Sequence, residues 1–200
     1  KRHFVATSGV RAGDVVLDLA GGTGDIAALL LPRVGADGRV VIADINGDML
    51  RVGRDRLIDR GLLRGLDYAQ VDAEALPFPD RSFDCVTMAF GLRNVTHKEN
   101  ALTEIHRVLK VGGRPLVLEF STVREPLPKP LYNFHSFSVL PRIGKLIAGD
   151  DASYRYLSES IRKHPDQSTL QAMMETAGLS RVDVRNLSAG IVAIHRGYRV

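Results

Sequence analysis

The residues best suited to chemistry are a run of glycines with an acid at each end. The run is Asp18-Leu19-Ala20-Gly21-Gly22-Thr23-Gly24-Asp25, and Asp44 lies twenty residues beyond Gly24. Glycines permit a tight turn from a strand into a helix and let a ligand approach the backbone closely. A carboxylate at the end of the next strand can accept hydrogen bonds from both hydroxyls of a ribose. The spacing therefore predicts a nucleoside-binding site.

Two classes of cofactor fit this loop. The stretch from Gly22 to Ala27 matches the G-x-G-x-x-G/A fingerprint of dinucleotide-binding folds, so an NAD(P)-dependent oxidoreductase is one alternative. Asp18 and Asp25 would repel a pyrophosphate, whereas they suit the ammonium and sulfonium groups of S-adenosylmethionine. An oxidoreductase would also need a substrate domain, for which 200 residues leave little room. The loop thus favours the methyl donor.

A second acidic segment follows the predicted third strand. It reads Val71-Asp72-Ala73-Glu74-Ala75-Leu76-Pro77-Phe78. The carboxylate of Asp72 could accept a hydrogen bond from an adenine amino group, while the apolar residues after it form walls. The alternative is that Asp72 only stabilises a turn, as aspartate often does.

Polar residues that could act on the methyl acceptor follow the predicted fourth strand. Arg93 and Asn94 lie there, at the carboxyl edge of the sheet where ligands bind in α/β proteins. Arginine is permanently charged and cannot be a base, but it can stabilise an oxyanion or hold a water that removes a proton. The alternative for Arg93 is a salt bridge that anchors the loop. Four further side chains could supply or relay a proton: His135, Tyr154, Tyr156 and His164.

Short apolar runs alternate with helical patterns, which is typical of βαβ units and a parallel sheet. Strands are predicted at 15–19, 40–44, 68–71, 83–90, 116–120, 182–187 and 191–196. Helices are predicted from Asp25, from the N-cap Asn46 to Gly61, over 101–109 as far as Gly112-Gly113, and from Asp166 to Gly178. Pro115 is expected to begin the fifth strand. The last two strands should form a hairpin with an antiparallel final strand.

The alternation breaks between Ser121 and Pro165, where prolines and aromatic residues predict short inserted helices. This segment holds seven Lys/Arg and four Asp/Glu, and so carries +3 of the formal net charge of +4. Residues Leu131–Ile147 could form a lid over an apolar ring and tail, with Arg142 and Lys145 at anionic lipid headgroups. The alternative is an ordinary helical subdomain, since charged surfaces usually are only solvated.

The composition is that of one soluble globular domain. Hydrophobic residues make up 44% and charged residues 25%, and neither a signal peptide nor an apolar run of ~18 residues occurs. The single cysteine, Cys85, predicts a reducing, cytoplasmic setting. The modest net charge does not indicate nucleic acid, and no zinc-type spacing of ligands occurs.

Several segments together resemble the UbiE family of ubiquinone and menaquinone biosynthesis C-methyltransferases. They are Asp18–Asp25, Asp72–Asp80, Phe90–Val95, Ser153–Leu157, Glu159–Arg162, His164–Gln167 and Ala193–Tyr198. The similarity runs essentially from Lys1 to Val200. The glycine loop is generic to the fold, whereas Arg93-Asn94 and Ser153-Tyr154-Arg155-Tyr156 are specific to the family.

The resemblance implies one domain over 1–200 with a doubly wound, seven-stranded, Rossmann-like α/β sheet of the class I methyltransferase type. Residues 121–165 would be a helical cover for the acceptor, and the family carries a further segment ahead of Lys1. The implied reaction moves a methyl group from S-adenosylmethionine to a ring carbon of a polyprenyl benzoquinol, of demethylmenaquinol, or of both. A catalytically silent scaffold subunit of a quinone-biosynthesis assembly is the non-enzymatic alternative, against which the intact loop and Asp44 argue.

The resemblance also implies roles for individual residues. Cofactor contacts fall on Thr23, Asp44, Asp72 and Ala73, beside the loop residues Asp18, Gly22 and Gly24. A further cofactor position, often serine in the family, is Ala89 here, which removes the hydroxyl that could form a hydrogen bond. The expected catalytic residues are Arg93, Asn94, Tyr154 and His164. The expected partners are a prenylated quinol, a membrane surface contacted peripherally, and a second copy or other subunits of a quinone-biosynthesis complex.

Overall fold

The computed structural model of the protein describes residues 1–121 and 159–200, apart from the side chain of Ala189. Within these residues the strands are β1 (Val15–Leu19), β2 (Arg39–Asp44), β3 (Leu66–Gln70), β4 (Phe83–Ala89), β5 (Leu109–Phe120), β6 (Ser180–Leu187) and β7 (Val192–Tyr198). The helices are α1 (Arg2–Thr7), α2 (Ala27–Val34), α3 (Gly47–Asp59), α4 (Lys98–Val108) and α5 (Gln167–Thr176). Residues 159–163 are also helical, and 3-10 turns lie at Leu92–Asn94 and Ser188–Gly190.

The strands form one seven-stranded sheet in the order β3-β2-β1-β4-β5-β7-β6. Neighbours from β3 to β5 are parallel, whereas β7 is antiparallel to both β5 and β6. The strand order reverses between β1 and β4. Ligands bind at such a switch point in open α/β sheets. The predicted doubly wound sheet with an antiparallel last strand is confirmed.

Helices cover both faces of the sheet, because alternate strand residues point to opposite sides. Val16 of β1 packs in one cluster with Phe4, Leu30 and Leu57, which come from α1, α2 and α3. Leu17 of β1 packs in the other cluster, to which α4 and α5 contribute Leu102, Ile105, Leu170 and Met174. Phe4 is 1% exposed, so α1, a helix that the sequence did not predict, belongs to the core.

Helix starts follow the predicted caps, with one shift. The Asn46 side chain accepts hydrogen bonds from the backbone N–H groups of Asp48 and Met49, which confirms the N-cap of α3. Asp166 caps α5 in the same way, by accepting from the N–H of Thr169 at 2.8 Å. Helix α2 begins at Ala27, two residues after the predicted start, because residues 22–26 are a turn.

The prediction that a helix runs on to Gly112-Gly113 was wrong. Helix α4 ends at Val108, and Leu109 already belongs to β5, where it pairs with Phe83. The register then shifts, and Gly112 and Gly113 exchange backbone hydrogen bonds with Arg199. The glycines therefore form an irregularity inside a long strand rather than the end of a helix.

Pro115 also lies inside β5 and does not begin it. Proline lacks the backbone N–H with which a residue of a central strand donates a hydrogen bond to a neighbouring strand. Pro115 pairs in register with Val86 of β4, whereas the ladder to β7 begins only at Leu116. The proline thus occupies the stretch of β5 that has a regular ladder on one side only.

Part of the predicted acceptor cover lies outside the described residues. Ranges 1–121 and 159–200 include its ends, but they exclude Tyr154 and the alternative proton-relay residues His135 and Tyr156. In those two ranges, every helix falls short of the length and apolar character needed to cross a bilayer.

Candidate cofactor and acceptor site

A cleft of about 480 Å³ opens at the carboxyl ends of β1, β2, β3 and β4. It brings together five of the predicted site residues: Gly22, Asp44, Asp72, Ala73 and Asn94. None of its remaining described lining residues was predicted as an individual cofactor or catalytic residue; they are Leu19, Ala20, Ile45, Asn46, Met49, Val71, Glu74, Met88, Phe90, Gly91, Val95 and Thr96. Most of these are the apolar neighbours of the predicted residues on the same loops.

The cleft carries negative charge. Asp44, Asp72 and Glu74 line it, and its described lining residues include neither lysine nor arginine. Three carboxylates repel a pyrophosphate and attract a ligand with ammonium and sulfonium groups. The electrostatics therefore favour S-adenosylmethionine over a dinucleotide.

Asp44 ties the two loops that face the ligand. Its Oδ2 accepts from the backbone N–H of Gly22 at 2.9 Å, and its Oδ1 accepts from that of Asn46 at 2.9 Å. Each carboxylate oxygen can accept more than one hydrogen bond, so both can still receive ribose hydroxyls. Gly22 has φ of +53°, and a Cβ there would lie 3.1 Å from Cε of Met49, which explains the glycine.

We expect Asp44→Ala to weaken binding of S-adenosylmethionine by about 1.5–3 kcal/mol, the range for hydrogen bonds to a charged group. The reason is the loss of both ribose acceptors together with the tie to Gly22. Calorimetric titration measures the change, and a thermal melt of the same sample reports whether the loops remain folded. An unchanged affinity in a folded variant would remove Asp44 from the site.

The Asp72 segment is held from behind by two residues of α4 that the sequence did not indicate. Glu104 accepts from the backbone N–H of Leu76 at 2.7 Å, while Arg107 donates to the Leu76 carbonyl at 2.8 Å. Arg107 also donates to the carbonyl of Phe78 at 2.8 Å and to Glu104. The only sequence signal was an acid and an arginine spaced i, i+3 on a predicted helix. These bonds fix the segment whose first residues line the cleft.

Asp18 lies beneath the glycine loop and does not line the cleft. It is 1% exposed, and its Oδ1 accepts from the Thr87 hydroxyl at 2.8 Å. Its Oδ2 has no hydrogen-bond partner among the described residues. Burial raises the pKa of Asp18 to about 7, against the lowering effect of the Thr87 hydrogen bond. Above about pH 7 the ionised Asp18 can act on a bound cation through its charge, from beneath the loop.

Three other predicted cofactor residues lie outside the wall of the cleft: Thr23, Gly24 and Ala89. Gly24 has φ of +76°, and a Cβ there would meet Cδ1 of Leu57 at 2.6 Å. Its glycine is thus required for the packing of α3 against the loop. Ala89 pairs with Leu118 in the sheet and packs against the core. Cofactor contacts by these three remain predictions.

Two residues of the quoted motifs that were not predicted as site residues shape the cleft by their backbone. Ala20 and Phe90 follow β1 and β4 and adopt φ of +54° and +60°. A residue other than glycine in this region costs on the order of 1–3 kcal/mol, and such strain concentrates at functional sites. Gly91 packs so closely that its Cβ would lie 2.4 Å from that of Ala20. The strand ends therefore approach each other under strain at the floor of the cleft.

Arg93 lies next to the cleft wall but in an ion pair. Its Nη1 donates to Oε1 of Glu119 at 2.9 Å and to the carbonyl of Phe90. The Arg93 and Glu119 side chains are 12% and 1% exposed. The structure thus contains the salt bridge that was the alternative for Arg93, and the role of Arg93 at the acceptor stays a prediction. Asn94, one residue on, lines the cleft.

His164, the predicted catalytic histidine, is buried, with 7% of its surface exposed. Burial, with the positive charges of Lys98, His195 and Arg93, lowers the pKa of His164 to about 4. Its Nδ1 has no hydrogen-bond partner among the described residues. The imidazole is therefore neutral at physiological pH. Within residues 1–121 and 159–200, the His, Cys, Asp and Glu side chains form no group of three that could hold a metal ion.

Comparison with curated proteins gives close relatives along the whole chain. The chain is 67% identical over 199 residues to a protein of Xylella fastidiosa (strain 9a5c) named Ubiquinone/menaquinone biosynthesis C-methyltransferase UbiE. It is 64% identical over 200 residues to a protein of the same name from Stenotrophomonas maltophilia (strain R551-3). Each match covers 100% of this chain and 79% of the relative.

Solved structures and a family model agree with these relatives. A SAM dependent methyltransferase from Aquifex aeolicus superposes with a TM-score of 0.73 at 18% identity, over 99% of this chain and 88% of that chain, which shows the shared fold. The family model for the "ubiE/COQ5 methyltransferase family" matches residues 1–199. Neither comparison supports the oxidoreductase or the scaffold alternative. The chain therefore belongs to the ubiE/COQ5 methyltransferase family.

Proposed function

We propose that this chain methylates a ring carbon of a prenylated quinol in quinone biosynthesis, with S-adenosylmethionine as donor. The acceptor is a polyprenyl benzoquinol, demethylmenaquinol, or both. Family membership gives the class, an S-adenosylmethionine-dependent C-methyltransferase. The observation that carries the donor is the cleft lined by three carboxylates and by no lysine or arginine among its described residues.

S-adenosylmethionine brings a methyl group that is already activated on a sulfonium, so the protein chiefly positions and desolvates the reactants. Asp44 would hold the ribose, and Asp72, fixed from behind by Glu104 and Arg107, would accept from the adenine amino group. The buried carboxyl of Asp18 would favour the positive charge of the donor from below the loop.

A quinol carbon becomes a good nucleophile only when a neighbouring hydroxyl loses its proton. Arg93 and Asn94 follow β4 beside the cleft, and we assign them to the developing quinolate oxygen, while a bound water takes the hydroxyl proton. The Arg93 guanidinium lies over the ring of Phe90, with Cζ 5.9 Å from the ring centroid, and Phe90 lines the cleft. Arg93 would thus act at the edge of the cleft that is formed by residues 90–96.

His164 fits a hydrogen-bonding role better than that of the base. A phenolic hydroxyl has a pKa of about 10, whereas burial lowers the pKa of His164 to about 4. Proton transfer to such an imidazole would be strongly uphill. We therefore propose that His164 accepts a hydrogen bond from the acceptor or from a bound water. Tyr154 stays a proposal from the sequence alone, since it lies outside the described residues.

Two experiments test the proposed function. The purified protein is incubated with isotope-labelled S-adenosylmethionine and either quinol, and the ring-methylated product is identified by mass spectrometry. In parallel, quinones are profiled in a strain that lacks the methyltransferase and carries this chain or its Asp44→Ala variant. We expect ring-methylated quinone with the natural chain and less with the variant. Failure to methylate either quinol, in a protein that binds the donor, would overturn the assignment of the acceptor.

We also propose that the protein contacts a membrane surface peripherally, because the proposed acceptor is lipid-soluble. A second copy or other subunits of a quinone-biosynthesis complex are the proposed protein partners. The support for membrane contact is the excess of basic residues between Ser121 and Pro165, seven against four acids. Each basic residue near an anionic surface contributes about 1 kcal/mol.

We expect the protein to co-sediment with phosphatidylglycerol vesicles at low salt and to be released at high salt, since salt screens the attraction. Phosphatidylcholine vesicles serve as the matched uncharged control. Binding that is the same in both vesicles and at both salt concentrations would contradict an electrostatic contact.

A further inference from the structure

Arg93 is held by an acid that the sequence analysis did not select. Glu119 accepts from Nη1 of Arg93 at 2.9 Å and from the Arg93 backbone N–H at 3.2 Å. The backbone N–H of Phe120 donates to the same carboxylate at 2.9 Å. Glu119 pairs with Ala193 in the centre of the sheet, so it is anchored on a rigid strand. The carboxylate thus fixes both the main chain and the side chain of Arg93.

Two aromatic rings also lie against the guanidinium of Arg93. The Cζ atom of Arg93 lies 5.9 Å from the ring centroid of Phe90 and 5.3 Å from that of Phe120. The two ring centroids are 4.9 Å apart. Arginine over an aromatic face is attracted by the ring quadrupole, and here two rings limit its rotation. Phe90 also lines the cleft, so the Arg93 guanidinium lies next to the proposed site.

One edge of the Arg93 guanidinium makes no hydrogen bond to the described residues. The hydrogen bonds of Arg93 to described residues use its backbone N–H and Nη1, and none uses Nε or Nη2. The Nε atom is buried and has no partner among those residues. The Nε–Nη2 edge of arginine is one of its two forks for oxygen ligands. A buried donor without a partner is costly, which suggests that a ligand oxygen supplies the partner.

His164 interacts electrostatically with Arg93. Burial is the main cause that lowers the pKa of His164, and the positive charge of Arg93 contributes to the lowering. Its Nδ1 is a second buried polar atom without a partner among residues 1–121 and 159–200. Two such atoms from different parts of the chain are expected where a polar ligand completes a site.

We propose that Glu119 is a positioning residue, which holds Arg93 so that its Nε–Nη2 edge faces an oxygen of the acceptor. The inference rests on the proposed function for the identity of the acceptor, but not for the geometry of the pair. Glu119 touches no reactant and acts through Arg93.

A spectroscopic test is independent of methylation. The Nε–H signal of Arg93 is recorded by ¹⁵N–¹H NMR in the folded protein and is assigned by its loss in Arg93→Met. We expect a sharp signal in the natural chain and a broadened or shifted one in Glu119→Gln. Nη1 and the backbone N–H of Arg93 donate to different oxygens of Glu119, and glutamine keeps only one of these two acceptors. Asp183→Asn, which disrupts a different ion pair with Arg196 at 2.9 Å, is the matched control. An Arg93 signal that is unchanged in Glu119→Gln would overturn the proposal.

A double-mutant cycle of turnover rates, measured with a quinol acceptor, tests whether Glu119 acts through Arg93. We expect Glu119→Gln to lower turnover about tenfold or more, the effect of weakening a charged hydrogen bond, with donor affinity unchanged within about twofold. In an Arg93→Met background, Glu119→Gln should lower turnover no further. Effects that multiply instead would mean that Glu119 acts independently of Arg93, and would overturn the proposal. If the natural chain methylates no quinol but the Arg93 signal responds to Glu119→Gln, the proposed function fails and the positioning stands.

Discussion

Asp18→Asn is expected to make the protein more stable above neutral pH, by as much as about 4 kcal/mol. Burial raises the pKa of this carboxyl from an ordinary 3.8 to about 7, and one pKa unit corresponds to about 1.4 kcal/mol. Asparagine has the shape of the carboxyl group but never ionises. The figure is an upper bound, because the new amide nitrogen replaces Oδ2, an atom without a partner among the described residues.

The sign follows from proton binding. Between pH 3.8 and about 7 the folded protein keeps a proton on Asp18 that the unfolded chain has lost. The stabilising effect of this proton is fully present below the lower value and is lost as the pH rises to about 7. His164 acts in the opposite direction, since its pKa is lowered from 6.5 to about 4 and its charging on unfolding makes the protein less stable in acid. Because Asp18→Asn keeps His164, the difference in unfolding free energy between the variant and the natural chain reports on Asp18 alone.

Urea unfolding at a series of pH values from about 4 to 9 measures this prediction. The free energy of unfolding of Asp18→Asn should rise above that of the natural chain as the pH increases, and the difference should level off above about pH 8. The same variant should bind S-adenosylmethionine more weakly at pH 8, because it lacks the charge that favours a cationic donor. If the unfolding free energies of the variant and the natural chain differ by a constant amount over the whole pH range, the pKa of Asp18 is not raised by burial.

The sheet could be predicted because its signals are local. Strands β1 and β2 are short apolar runs, and the caps Asn46 and Asp166 stand directly before their helices. The change from α4 to β5 was missed because Leu109 continues the apolar spacing of the helix. Its pairing with Phe83 overrides that spacing, and pairing across 26 residues is not visible in a local pattern.

The site was predicted where one side chain follows one strand, and missed where two distant segments meet. Asp44 and Asp72 were found because loops after parallel strands converge at one edge of the sheet. Arg107 and Glu119 were missed because each acts on a segment 26 to 31 residues away. The buried state of Asp18 was missed for a related reason: its environment depends on Thr87 in β4, 69 residues along the chain. The unsatisfied and strained groups are the ones that local rules do not reach.

Removing Arg93 is expected to lower turnover about a hundred- to a thousandfold while donor affinity changes by no more than about twofold. Losing one donor to a developing oxyanion raises the barrier by about 2.7–4 kcal/mol. Donor affinity should change little because Arg93 does not line the described cleft, whose wall includes its neighbours Phe90 and Asn94. Single-turnover methylation of a quinol at saturating S-adenosylmethionine measures the first quantity, and calorimetry measures the second.

The choice of variant decides what the experiment means. Arg93→Ala alone would leave Glu119 buried and unpaired, which costs about 3–5 kcal/mol of stability and could lower activity by unfolding. Arg93→Met with Glu119→Gln removes both charges together and leaves an apolar stem between the rings of Phe90 and Phe120. We expect this double variant to be more stable than Arg93→Met and equally slow. If it regains the natural rate, Arg93 serves only to neutralise Glu119. If donor binding collapses while the rate at saturation survives, Arg93 belongs to the donor site.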